Sequence, residues 1–251
     1  MKGRALFRRI AALFYPHRCF ICDKAVPYPD TVCETCAPKI IRYPQIRGAV
    51  CDVCGLPLKQ CGCRPNRLYE KAVFPLFYEG EARHSVHRLK FRGRLDKAKP
   101  FAAAMKTALE ERDVLEQTDL LTFIPMTRQK QRSRGYNQAE QLCRALQEQT
   151  GLPMLPLLYK YADNGTQHDL PGALYRTGNI LGVYEPDPRY VSEIEGKRIL
   201  LVDDVLTSGA TLNEAAKTLL IFGAQTVNTV TCAAVRKPEK QTKQKEKAGS
   251  R

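Results

Sequence analysis

The apolar positions fall into two regimes along the chain. Between residues 66 and 236, short apolar runs alternate with stretches whose apolar residues recur every three or four positions. The runs at 72–78, 120–124, 198–202 and 226–235 predict strands. The run at 198–202, RILLV, is apolar almost throughout, the pattern of a parallel strand covered on both faces. Helical spacing predicts helices over 81–91, 97–115, 136–150 and 211–222. In 136–150, Ala139, Leu142, Cys143 and Leu146 share one face and Gly151 supplies the stop, so Cys143 reads as a small buried hydrophobe. In 211–222, Leu212, Ala215, Ala216 and Leu219 face inward, Gly223 follows, and Thr211 with Glu214 matches a capping box. This alternation predicts an α/β fold: a doubly wound parallel sheet with helices on both faces.

The flanks read differently. Residues 1–65 are rich in Cys, Pro and Arg with little periodicity and predict a separate Cys-rich module. Residues 237–251 contain no large apolar residue and predict a basic disordered tail. Three units are therefore expected, 1–65, 66–236 and 237–251. Near the start, Leu6, Ile10, Leu13 and Phe14 recur at helical spacing opposite Arg4 and Arg8. That predicts a short basic amphipathic helix packed on the protein itself, with docking on a membrane surface as the alternative. The apolar stretch at 10–15 is too short for a signal-peptide core, and no run reaches the length of a membrane span.

Apolar residues make up 43% of the chain, enough for a core, and the formal charge is +14. Such a charge predicts an anionic partner: nucleic acid, a membrane surface or a phosphate-rich small molecule. Eight of the 10 cysteines lie at Cys19, Cys22, Cys33, Cys36, Cys51, Cys54, Cys61 and Cys63. Paired thiols without an export signal point to metal ligation in a reducing compartment, so the expected location is cytoplasmic, with the inner face of the membrane as the alternative. A CxxC turn puts two sulfurs on one tetrahedral ion, and two turns close a structural site. Zn²⁺ is the expected ion, one or two per chain, with iron–sulfur ligation as the alternative. Sequential pairing of the cysteines needs the shortest loops; crossed pairing is the other possibility.

The sharpest chemistry lies at 198–211, RILLVDDVLTSGAT. A buried strand runs into Asp203 and Asp204, a loop of Thr207, Ser208, Gly209 and Ala210 follows, and a helix begins at Thr211. Ligands of open α/β sheets bind beyond the C-terminal strand ends, and a helix N-terminus presents free N–H groups to an anion. Gly209 allows close approach of a phosphate, and the hydroxyls add donors. Two carboxylates repel phosphate but suit sugar hydroxyls and a hydrated Mg²⁺. The Gly-Lys-[Ser/Thr] ending of a Walker loop is absent. A second element follows the strand at 120–124: Arg128, Lys130, Arg132 and Arg134, whose charge suits a departing pyrophosphate.

VDDVLTSGAT resembles the phosphoribosyl pyrophosphate (PRPP) binding motif of type I phosphoribosyltransferases. The resemblance implies that Asp203 and Asp204 contact the ribose hydroxyls while Thr207, Ser208, Gly209, Ala210 and Thr211 cradle the 5′-phosphate. Together with the CxxC pairs and RGYNQAEQL at 134–142, it resembles the ComF family of competence-associated proteins. His87-Arg-Leu-Lys-Phe91 and the stretch holding Gln167, Arg176 and Asn179 share the likeness, with departures at Asn164 and Pro171. What this implies is a type I phosphoribosyltransferase-like domain behind a zinc module, binding PRPP and single-stranded DNA in DNA uptake alongside other uptake-machinery proteins. An active phosphoribosyltransferase acting on a nitrogen acceptor is the alternative function. A third reading is a regulatory module that binds PRPP without turnover.

Overall fold

The computed structural model describes residues 17–46, 48–61, 63, 67–91, 93–160 and 183–236. The expected N-terminal helix, the Gln167–Asn179 stretch and the basic tail lie outside the described residues. The two matched cysteine clusters come first and the α/β body follows.

The body is a parallel sheet with the strand order β1-β7-β6-β3, with β2 also paired to β7. Its strands are β1 (Ala72–Val73), β2 (Leu76–Phe77), β3 (Leu120–Phe123), β6 (Arg198–Leu206) and β7 (Thr226–Ala234). Register is set by pairs such as Phe123↔Val202 and Val202↔Val230. Successive side chains in a strand point to opposite faces. All four residues of β3 and eight of the nine in β7 are buried, so both faces of the sheet are covered. Ile199, Leu200, Leu201 and Val202 are each at most 1% exposed. Burying such side chains contributes about 1.5–3 kcal/mol apiece before entropy is counted.

Five helices flank the sheet among the described residues: α1 (Gly80–Phe91), α2 (Ala98–Glu111), α3 (Arg128–Arg134), α4 (Gln138–Thr150) and α5 (Ala210–Ile221). Helix α4 buries the face and takes the stop that its sequence predicts, but it starts at Gln138 rather than 136. Asn137 Oδ1 accepts from the Ala139 amide at 3.0 Å, Gly151 closes the end at φ 73°, and Ala139, Leu142, Cys143 and Leu146 are buried. Burial pushes the Cys143 thiol well up, as suits a packing residue.

The structure departs from the expected elements in several places. The strand expected over 72–78 is two short pieces, because Pro75 has no N–H for the ladder. The helix expected over 97–115 stops at Glu111, where Asp113 takes φ 55° and a 3-10 turn follows. The four cations after the strand at 120–124, where no helix was expected, form helix α3, capped by Thr127 and closed by Gly135 at φ 81°. Strand β6 does not stop before the aspartates but carries them, continuing to Leu206 against β7. The Thr211–Glu214 capping box does not form: the N-cap is Gly209, with no side-chain cap. An antiparallel pair unseen in the sequence, β4 (Leu158–Lys160) and β5 (Tyr184–Pro186), stands beside α5.

Cysteine clusters and the C-terminal edge of the sheet as candidate functional sites

Each of the two cysteine clusters starts from the same small hairpin. Arg18 bridges Ala25 around Cys19 and Cys22, and Val50 bridges Pro57 around Cys51 and Cys54. The amides at the tips match: Asp23 N donates to Cys19 O and Gly55 N to Cys51 O, both at 2.9 Å. Both tip residues are left-handed, Asp23 at φ 64° and Gly55 at φ 67°. Gly55 is the ordinary choice for that backbone; Asp is a tolerated one. A Cβ at Gly55 would stand 2.9 Å from Ala72 O, so the second hairpin lies hard against β1.

The sulfurs group sequentially, Cys19, Cys22, Cys33 and Cys36 in one set and Cys51, Cys54, Cys61 and Cys63 in the other. The ligand atoms within each set lie within 4.8 Å of one another. A tetrahedral ion with Zn–S bonds of about 2.3 Å requires sulfur–sulfur edges of about 3.8 Å. The edges Cys22–Cys33, Cys54–Cys61 and Cys51–Cys63 measure 3.6, 3.7 and 3.8 Å. Both sets have the donors and spacing that suit Zn²⁺, and all-thiolate sets of four are closed structural sites. The compact Cys61-x-Cys63 pair is eased by the Cys63 amide, which points at Cys61 Sγ from 3.4 Å.

The clusters are fastened to the body. Tyr43, 3% exposed, donates its hydroxyl proton to Phe74 O at 3.1 Å, and Phe20 packs edge-on against Phe101 at 5.0 Å. Lys97, 2% exposed, donates to Phe20 O at 3.0 Å and to Asp23 at 2.6 Å. Arg88 of α1 also pairs with Asp23.

The second candidate site opens where β6 meets α5. Asp204 is 6% exposed; Lys90 Nζ lies 2.8 Å from its Oδ1, and Gln138 Nε2 donates to its Oδ2 at 2.9 Å. Gln138 Oε1 is buried with no partner among the described residues. Asp203 Oδ1 accepts from the Asp204 amide at 2.8 Å. Burial, and then the neighbouring Asp204 charge, pushes the Asp203 carboxyl up to about 8. Beyond the strand end Thr207, Ser208, Ala210 and Thr211 are exposed, while Gly209 is buried at φ 79°.

Every residue of the RGYNQ run has a position here. Arg134, with Lys90, Lys130 and Ser133, lines a cavity of about 430 Å³. Gly135 closes α3. The Tyr136 hydroxyl donates to Leu89 O, which sets the end of α1. Asn137 caps α4 and donates to Ile124 O at 3.0 Å, holding the helix to the end of β3. Gln138 reaches Asp204. The helical form of α3 divides its four cations. Lys130, Ser133 and Arg134 stand at i, i+3 and i+4 and share the face that lines the cavity. Arg128 and Arg132 are exposed, lie four apart on another face and are not among the lining residues.

Sequence reasoning missed Lys90, Gln138, Arg67 and Tyr69. Lys90 and Gln138 sit inside the quoted HRLKF and RGYNQAEQL runs, so a signal was there. Arg67 and Tyr69 carry none: Arg67 Nη2 donates to Ser208 O at 3.0 Å, a contact across most of the chain.

Comparison with known proteins finds two family matches along the chain. A family described as a double zinc ribbon domain matches residues 10–69, and one described as a phosphoribosyl transferase domain matches residues 134–250. The chain is 27% identical over 226 residues to the DNA utilization protein YhgH of Salmonella typhimurium, covering 86% of this chain and 96% of that protein. It is 25% identical over 207 residues to the competence protein ComFC of Bacillus subtilis, covering 77% and 80%. Among solved structures, a glutamine PRPP amidotransferase from B. subtilis matches at a TM-score of 0.40 and 20% identity, over 58% of this chain and 30% of that one.

Proposed function

We propose that this chain, which matches a double zinc ribbon and a phosphoribosyl transferase domain and is similar to the competence protein ComFC, binds PRPP and single-stranded DNA in the uptake or use of DNA. One observation carries the PRPP half. The ion pair of Lys90 with Asp204 joins the acidic end of β6 to the cationic cavity, so groups suited to a sugar and to a diphosphate are contiguous. Ribose hydroxyls donate to Asp203 and Asp204. The 5′-phosphate takes the loop of Thr207, Ser208, Gly209, Ala210 and Thr211 at the start of α5, exposed at all of these but Gly209. The diphosphate faces Lys90, Lys130 and Arg134. Both Asp204 oxygens already accept from protein donors, so the acids suit a hydrated Mg²⁺ better than one they ligate directly.

Calorimetric titration with PRPP and Mg²⁺ tests this reading. Saturable binding is expected, lost in Asp203→Asn plus Asp204→Asn. A native, zinc-loaded chain that gives no heat with PRPP ends it. The same cavity would stabilise the charge of a departing pyrophosphate, which favours phosphoribosyl transfer as the second reading. Pyrophosphate release with a panel of nitrogen acceptors separates transfer from binding alone.

The DNA half is supported by the charge of +14 and by the relatives' roles in competence and DNA utilization. Its test is single-stranded DNA affinity against salt. A steep linear fall of log affinity with log salt is expected, because phosphate contacts release counterions. A flat response, or no binding at low salt, counts against it. No helix among the described residues is long and apolar enough to cross a membrane.

A further inference from the structure

The segment that follows the second cysteine cluster in sequence runs along the phosphate loop of the distant domain. Leu68 N donates to Asn213 Oδ1 at 2.8 Å, Glu70 N to Val227 O at 2.9 Å, and Lys71 N to Asn228 Oδ1 at 2.9 Å. These bonds pin the backbone on either side of Tyr69 to α5 and β7. Two side chains are thereby set against Gly209. Arg67 Nη2 donates to Ser208 O, and its guanidinium lies 5.1 Å from the Tyr69 ring centroid. A Cβ built on Gly209 would stand 2.1 Å from Arg67 Nη1 and 2.8 Å from the Tyr69 hydroxyl.

Two independent observations make this a ligand site rather than a helix start alone. Tyr69 is 2% exposed, and its hydroxyl has no hydrogen-bond partner among the described residues. Leaving a buried hydroxyl unpaired costs about 1–3 kcal/mol, so a polar group that arrives with a ligand relieves that cost. Arg67 offers five N–H donors in a planar fork, and the bond to Ser208 O uses one. A guanidinium and a phenol beside the glycine at a helix N-terminus match a phosphomonoester, which has acceptor oxygens and charge but few protons to give.

We infer that Arg67 and Tyr69 belong to the phosphate subsite: they bind the 5′-phosphate of the sugar phosphate together with the loop amides. The inference rests on the proposed PRPP reading and deepens it, because the segment that leaves the zinc ribbon becomes one wall of the ligand site. Gly209 is then required twice, by its φ of 79° and by the guanidinium beside it.

Titration of the full chain with ribose 5-phosphate, PRPP–Mg²⁺ and inorganic pyrophosphate tests it. Arg67→Ala should weaken ribose 5-phosphate and PRPP by about tenfold or more, as a charge-assisted bond implies, and leave pyrophosphate unchanged. Arg67→Lys should recover part of the loss by keeping the charge. Tyr69→Phe, which keeps the packing, should weaken the two sugar phosphates by about two- to tenfold. Wild-type affinity in Arg67→Ala, or tighter binding from removal of a side chain that blocks the loop, overturns the inference. The two readings fail separately. Arg67-dependent binding of ribose 5-phosphate without PRPP binding leaves the subsite standing and ends the PRPP reading. PRPP binding indifferent to Arg67 and Tyr69 does the reverse, and binding of neither sugar phosphate ends both.

Discussion

The ammonium of Lys97 lies 2.6 Å from the carboxylate of Asp23, and through that bond the tip of the first zinc hairpin is held to the helical body. Arg88 meets the same carboxylate, and Arg94 stands 3.6 Å away. The equivalent tip of the second hairpin is Gly55, which rests against β1 without an ion pair, while Val53 O beside it accepts from the Ala72 amide at 2.6 Å. Asp23 accepts a left-handed backbone in exchange for anchoring three cations.

Removing that anchor should cost more than an ordinary surface ion pair. Asp23→Ala leaves Lys97 buried without its counter-charge, and breaking such a pair costs about 3–5 kcal/mol. Asp23→Asn should cost less, since the amide oxygen still accepts. Urea unfolding of the zinc-loaded chain reads the difference; equal stability of Asp23→Ala and wild type would remove the anchoring role.

Metal analysis should return two zinc ions per chain. Cys36→Ser or Cys54→Ser should lower this to one, and Cys143→Ser should leave two, because Cys143 is packed in α4 away from both sets. A chelator should lower the melting temperature of the body as well, through Phe20, Tyr43 and Lys97. Loss of zinc with an unchanged melt would show that the ribbon does not support the fold.

The two faces of α3 should separate in binding. Lys130→Ala with Arg134→Ala should weaken PRPP and pyrophosphate by about tenfold or more, as charge-assisted bonds imply. Arg128→Ala with Arg132→Ala should change either affinity by less than about threefold at physiological salt, because exposed charges are screened. The same titrations decide it; equal losses from both pairs would mean that the helix face does not set the site.

Asp203 should make the ligand-free protein less stable as pH rises. Its folded carboxyl is pushed up to about 8 against an ordinary value near 3.8. Between those values the folded chain keeps a proton that the unfolded chain has lost, so stability falls from about pH 4 to about pH 8 and then levels. Asp203→Asn should therefore raise the melting temperature at pH 8 by several degrees, with the gain vanishing near pH 4. Melts across that range check the sign, and a gain that grows toward acid would refute it.

The helix at 138–150 and the strands at 198–206 and 226–234 were legible because their signals are local. A period of 3.6 with Gly151 after it needs no partner to be read, whereas the start at Gln138 behind the Asn137 cap was not read. The aspartates and the hydroxyl loop were visible for the same reason. What failed was mostly at boundaries. Strand β6 runs past Val202 because β7 continues to pair with it, a decision made by a neighbour. The Thr211–Glu214 cap is absent because Gly209, turned left-handed beneath Arg67, already starts the helix.

The sequence by itself determined the α/β class, the cysteines that fit zinc and the acidic strand that leads into a small hydroxyl loop. Each is a matter of spacing along a chain of fixed geometry. Only the tertiary structure decided that Lys90 faces Asp204, that α3 turns two of its four cations toward the cavity, and that Arg67 and Tyr69 close on Gly209. Those meetings depend on how rigid elements pack, and packing brings together residues whose sequence separation carries no periodic signal.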